Sequence, residues 1–402
     1  MNRALKRFLR YAALDTTSNE ESGVTPSTTG QWELAKILLE ELRELGVSQP
    51  QVDEHCYVYG LIPANAVNQP IIALIAHLDT ADAVPGRQFL PRVIRYEGGS
   101  ITLNSELGIV MEEGDFPALS GLLGQELVVT DGQTVLGADD KAGIAEIMEA
   151  ASILLEDPSI PHGDVWLVFT PDEEIGSGAA LLQLDKIQAD FAYTVDGGAL
   201  NEIEYENFNA ASARVRVKGR NVHPGYAKGQ MINAIKVAMD YQRRLPQEQA
   251  PELTEGYEGF YHLRGIRGAE ENAVMDYLIR DHDRASFEQR KQVMLDAADA
   301  INTEFKQTLV EVEIKDSYYN MKEVVDRFPH VVERAEKAIR ACGMVPQARP
   351  IRGGTDGARL SFRGLPCPNL GTGGLHWHSV FEVLPVESLE KMAKVLVEIV
   401  RA

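Results

Sequence analysis

With 402 residues, 44% of them apolar and 25% charged, the chain is long enough for two domains or for one large domain carrying an insertion. Its formal net charge of −21 argues against a nucleic-acid partner, and no apolar run approaches the ~20 residues needed to cross a membrane. The three cysteines, Cys56, Cys342 and Cys367, are odd in number and far apart, which argues against a disulfide framework and for a reducing, cytoplasmic setting.

Near the start, Arg3, Lys6, Arg7 and Arg10 surround Leu5, Phe8 and Leu9. The pattern fits an amphipathic first helix better than an organelle-targeting leader, because acidic residues follow from Asp15 and no secretory apolar core is present. Residues 31–45 have helical apolar spacing and stop at Gly46. Residues 71–76, 165–170 and 191–195 are continuous apolar runs, as expected of strands buried on both faces, and 142–155 reads as a helix between them. This alternation predicts an α/β fold, a sheet with helices on both faces. The character changes near Asn207. Segments 213–218, 260–264, 274–280 and 309–314 read as strands, and 230–244 and 286–305 as helices, in the order β-α-β-β-α-β. Residues 207–322 are therefore expected as an inserted α+β, ferredoxin-like domain, set between the two parts, 1–206 and 323–402, of a discontinuous first domain. A last helix is expected near 386–400.

Five short segments carry metal-binding residue types, most of them after predicted buried strands, where ligands gather in open α/β sheets. They are His77-Leu78-Asp79, Asp139-Asp140, Asp172-Glu173-Glu174, Asp196-Gly197-Gly198 and His376-Trp377-His378. Two residues apart on a strand, His77 and Asp79 share a face, so the carboxylate can hold the imidazole's second nitrogen. Three successive carboxylates after an apolar strand repel one another unless cations offset them, and one of them can then remain as a general base. Each segment also has an ordinary reading: a hydrogen-bonded strand-end histidine, a helix cap, a solvated acidic turn. Together they form a nitrogen and oxygen donor set suited to zinc, cobalt or manganese. HExxH, GxSxG, phosphate-loop and GxGxxG patterns are absent, which removes support for thermolysin-like, serine-hydrolase and nucleotide-binding readings.

In this order the segments resemble the two-zinc peptidase family that includes carboxypeptidase G and the aminoacylases, and within it the aminopeptidases of tripeptides. The likeness extends to residues 206–212, 254–263 and 351–358 and so covers essentially the whole chain. It implies a zinc-peptidase catalytic domain whose mixed sheet is flanked by helices, with the insertion as a lid and dimerisation domain. It also implies two Zn2+ per subunit, with Co2+ or Mn2+ as substitutes, and a homodimer. By the same resemblance His77 and Asp196 bind one zinc, Glu174 and His378 the other, and Asp139 bridges them. Asp79 orients His77 and Glu173 is the general base. His223 stabilises the oxyanion, from its own or the partner subunit, and Arg280 and Arg352 hold the substrate carboxylate. The implied reaction is hydrolytic release of the N-terminal residue of a tripeptide. Two departures stand out. His376 is an additional histidine two positions before His378, which is preferred as ligand because it precedes Ser379, and Tyr226 replaces a smaller residue in the loop after His223.

Overall fold

The structure, a computed structural model, describes residues 2–84 and 88–401. The chain divides into two compact units, one of residues 1–205, 323–349 and 355–402, the other of residues 206–322 and 350–354.

The first unit is built on an eight-stranded mixed sheet. Its order is Ser48–Val52, Val58–Ile62, Val165–Thr170, Ile72–His77, Phe191–Gly197, Asn369–Gly371, Glu202–Asn207 and Gln347–Ile351. The four strands from Val165–Thr170 to Asn369–Gly371 run parallel. They are apolar along their length because both faces are covered. Leu74 and Ala76 join the larger core, where the helices Ala138–Glu156 and Val386–Val400 pack. Ala73 and Ile75 join a smaller core on the opposite face. Side chains alternate along a strand, so His77 leaves the sheet on the side of Ala73 and Ile75. The basic N-terminal segment is a docked element of this unit. Asn2 caps the helix Arg3–Ala12, Phe8 and Tyr11 are buried, and Arg7 meets Glu149 at 2.9 Å. The helix Thr29–Leu45 ends on Gly46, whose φ of 78° supplies the left-handed stop that the sequence suggests.

A second, small sheet in this unit joins Arg92–Arg95, Glu126–Val129 and Leu384–Pro385, beside the hairpin of Ile101–Asn104 and Ile109–Met111. None of these strands is expected from sequence, because two to four residues of mixed exposure carry no readable period. They enclose Tyr96, Leu103, Met111, Leu119 and Leu127.

The other unit holds a four-stranded antiparallel sheet ordered Phe260–Gly268, Asn272–Asp281, Asn209–Lys218 and Val310–Tyr318. Along the chain its elements run β-α-β-β-α-β. Ala211, Ala213, Val215 and Val217 face the helices Ala234–Arg244 and Arg284–Phe305. Arg214, Arg216 and Lys218 point away and pair across strands with Asp276, Glu313 and Glu311. The first of these helices starts at Ala234, not at residue 230, because the Asn233 side chain accepts the Lys236 N–H and caps it there. Residues 350–354, expected with the catalytic domain, pack with this unit instead. The Arg352 guanidinium lies 5.1 Å from the Phe208 ring, and the Ile351 carbonyl meets His282 Nε2 at 3.2 Å.

Within the helix Ala138–Glu156, Glu146 is fully buried and neither carboxylate oxygen has a hydrogen-bond partner among the described residues. Burial holds its pKa well above the usual carboxylate range. The native state therefore keeps a proton that the unfolded chain releases above about pH 4.3, and stability falls as pH rises from there, until the folded-state pKa is passed. Glu146→Met, apolar and of similar length, is expected to raise the melting temperature at pH 8, with the gain shrinking as the pH is lowered toward 4. The gain should be about 1.4 kcal/mol for every tenfold difference in proton affinity between the two states. Thermal melts across pH test this, and an unchanged or lower melting point at pH 8 would refute it.

Candidate active site

The parallel strands deliver their carboxyl ends to one place in the first unit, and five side chains converge there. His77 closes the strand Ile72–His77 and is almost completely buried. Its Nε2 lies 2.8 Å from Asp139 Oδ1 and 3.5 Å from Asp196 Oδ1. His378 Nε2 lies 3.0 Å from Asp139 Oδ2 and 3.0 Å from Glu174 Oε1. The ligand-type atoms thus form two triads, His77–Asp139–Asp196 and Asp139–Glu174–His378, each with all its atoms within 4.8 Å of one another, and Asp139 is common to both.

The electrostatics of this cluster call for cations. Burial, then the neighbouring Asp139 and Glu174, push Asp196 up to about 7. Burial also raises Glu174, with Asp139 adding to the effect. The hydrogen bond to Asp139 and the Glu174 carboxylate close by hold His378 up at about 11. Burial opposes the charged form of His77, but Asp196, Asp139 and Asp79 outweigh it and raise its pKa. Glu174 Oε1 is buried and makes no aligned hydrogen bond, although His378 Nε2 is 3.0 Å away. That is the geometry of two donors aimed at a common point and not at each other. Two imidazoles and three carboxylates in two triads fit a pair of divalent metal ions, with Asp139 offering one oxygen to each.

The surrounding hydrogen bonds fix this arrangement. Asp79 is fully buried. His77 Nδ1 meets its backbone carbonyl at 2.9 Å, while its carboxylate stands 3.4 Å from the same nitrogen. The carboxylate also braces the neighbouring turn: Oδ1 accepts the Glu173 N–H at 2.9 Å and Oδ2 the Glu174 N–H at 3.1 Å. One side chain therefore supports a triad member, Glu174, together with the adjacent acid. Glu173 Oε1 accepts the Asp356 N–H at 3.2 Å. Burial, then Asp196 and Asp356, raise the Glu173 pKa well above its ordinary value.

Three further acids shape the site in supporting roles that sequence reasoning did not assign to them. Asp172 has a φ of 58° and is buried, accepting hydrogen bonds from the Ser27 amide and hydroxyl and from Gln31 Nε2, while its own N–H goes to Gln31 Oε1. It anchors the turn that carries Glu173 and Glu174. Asp356 accepts the Thr170 hydroxyl and the Ala179 N–H. Gly178 passes so close that a Cβ there would meet its carboxylate at 2.2 Å. Asp140 Oδ2 accepts the His77 N–H at 3.0 Å. The Asp139–Asp140 pair has non-helical backbone angles, so it does not begin the helix as a simple cap would.

His376 does not join the triads: its ring meets Phe116 edge-on, centroids 4.8 Å apart. The other three candidates belong to the second unit, each with local partners. His223 is exposed and its Nδ1 accepts the Gly225 N–H. Arg280 donates through Nη1 to the Ala211 and Ile279 carbonyls. Arg352 also has local partners in this structure. Both of its Nη atoms are engaged by the loop before Phe260, at the Thr254, Gly256 and Glu258 carbonyls, so here the side chain is a loop clamp.

Comparison with known proteins agrees with this geometry. The profile of peptidase family M20/M25/M40 matches residues 135–402. The chain is 49% identical over 402 residues to the peptidase T of Caldanaerobacter subterraneus subsp. tengcongensis, covering 100% of this chain and 98% of that protein. Its fold is similar to that of the aminopeptidase PepT of Bacillus cereus, with a TM-score of 0.78 at 24% identity over 99% of this chain and 97% of that one. It is also similar to the YXEP protein of Bacillus subtilis, described as a dinuclear metal-binding peptidase of the M20 family. There the TM-score is 0.67 at 16% identity, over 99% and 96% of the two chains.

Proposed function

On the footing that the chain belongs to peptidase family M20/M25/M40, we propose that it is a metallo-aminopeptidase that releases the N-terminal residue from tripeptides. The observation that carries this reading is the pair of triads sharing Asp139, with Glu173 held beside them. In the proposed enzyme His77 and Asp196 would hold one Zn2+ and Glu174 and His378 the other, with Asp139 common to both sites; Co2+ or Mn2+ would be substitutes. Such a pair, when bound, would supply acidification of a water molecule and polarisation of the peptide carbonyl.

The chain's own groups do the rest. Glu173, with Oε1 tied to the Asp356 amide, uses Oε2 to take the proton of the attacking water and later gives it to the leaving amine. Its raised pKa suits the interval in which it holds that proton. Asp79 keeps the Glu173 and Glu174 amides in place throughout. In this reading His223 donates to the oxyanion, from its own or the partner subunit of a homodimer formed through the second unit, and Arg280 and Arg352 receive the substrate's terminal carboxylate. No helix among the described residues is long and apolar enough to cross a membrane; a cytoplasmic enzyme acting on short peptides is the proposed setting.

A panel of free and N-acetylated di-, tri- and tetrapeptides tests the reading, with products identified by liquid chromatography. Free tripeptides should lose their first residue and the N-acetylated forms should survive. Cleavage of acetylated substrates, or release of C-terminal residues, would replace the aminopeptidase with an acylase or a carboxypeptidase.

A further inference from the structure

Glu382 lies four residues beyond His378 and is buried, and the reaction outlined above makes no use of it. Its carboxylate reaches across to the loop that delivers Asp139. Oε2 accepts the Leu136 N–H at 2.7 Å and the Gly137 N–H at 2.8 Å, and Oε1 accepts the Asp139 N–H at 3.1 Å. Three backbone donors converging on one carboxylate form an anion-binding concavity that a side chain of the same protein fills. The loop has its own reason to turn here. Gly137 has a φ of 73°, and a Cβ on it would press on the Thr80 methyl group at 3.0 Å and on the Lys141 side chain. On the other side, the segment carrying Glu382 is pinned to its own turn. The Glu382 N–H bonds the Ser379 carbonyl, and Val383 pairs with Leu375 in both directions. The loop from Leu375 to Val383 that carries His378 is thereby closed at its base, and Glu382 stands at that base.

We propose that Glu382 is the positioning residue of the two-metal centre: it locks the backbone of the shared ligand Asp139 to the loop that supplies His378, and so sets the distance between them. The proposal rests on the metal-centre reading above. Nothing in the sequence joins these two loops, which lie more than two hundred residues apart, and among the described residues this carboxylate is the only side chain bonded to the Leu136, Gly137 and Asp139 amides. Its task is geometric. It touches the amides behind Asp139 and leaves both Asp139 oxygens to His77 and His378.

The test is a chelator-competition titration of the full chain with zinc, together with steady-state kinetics. Glu382→Gln keeps the shape, but its Nε2 faces the Asp139 N–H, donor against donor. It is expected to weaken zinc binding 10- to 100-fold and to lower kcat by a similar factor, with KM unchanged within about twofold. Glu382→Asp keeps the charge and loses the reach, and should fall between that variant and the parent. A Glu382→Gln protein that binds two zinc ions within about threefold of the parent's affinity overturns the proposal. If Glu382→Gln does not fold, Glu382→Asp carries the test; should that also fail to fold, the residue belongs to folding and the proposal is wrong. A parent protein that binds fewer than two zinc ions would instead sink the underlying metal-centre reading, so the two failures are distinguishable.

Discussion

Glu173→Gln is expected to lower kcat by roughly 100- to 10,000-fold while leaving the metal content at the parent's value. That loss corresponds to about 3–5 kcal/mol of activation barrier. The asymmetry between activity and metal content is the point of the experiment. Glu173 is not a member of either triad; its partners are the Asp79 carboxylate, through its own amide, and the Asp356 amide, through Oε1. Glutamine keeps the size and can still accept the Asp356 N–H, so the turn should hold, but it cannot take a proton from water. Elemental analysis alongside kcat reads both arms. Activity within a few-fold of the parent would remove Glu173 from the reaction, and loss of metal in the variant would mean that it is a ligand and not a base.

The second large effect is expected at Asp139. Removing a residue that serves one cation should empty one position, whereas Asp139 belongs to both triads. Asp139→Ala is therefore expected to drop the bound metal from about two equivalents per chain to less than about one, and to abolish turnover. Asp196→Ala and His378→Ala should each retain about one tightly held equivalent. The substitution leaves the backbone untouched: the hydrogen bonds of the Asp139 side chain go to His77 and His378, while its N–H goes to Glu382. A circular-dichroism spectrum equal to the parent's should therefore accompany the loss. Two equivalents retained by Asp139→Ala would show that the shared position is something other than a bridge.

The legibility of this chain follows its physics. The central strands can be read end to end because burial on both faces makes them continuous apolar runs; Val165–Thr170 has the limits its composition suggests. The helix after Asn233 starts four residues later than its spacing suggests, because a local side-chain cap decides the boundary and apolar period does not see it. The small sheet around Tyr96 is invisible for the opposite reason: its strands are too short to show any period. At the site, His77, Asp139, Glu174, Asp196 and His378 stand out as ligand types in short motifs. The supporting roles of Asp172, Asp356 and Glu382 do not, even though Asp172 lies in one of those motifs: these acids work through distant partners, mostly backbone amides that carry no identity in sequence. Arg352 likewise has partners that its motif does not reveal, the carbonyls of Gly256 and Glu258.

The sharing of Asp79 between two successive amides has a practical side. An investigator wishing to trap an uncleaved peptide for crystallography needs an inert enzyme that still loads its ions. Altering the Glu173 side chain offers that separation, since the scaffold beneath stays whole. Altering Asp79 cannot, because the same two oxygens brace the residue before and the residue after the junction. Libraries aimed at retuning the base should therefore vary what lies above that carboxylate and keep the carboxylate itself fixed.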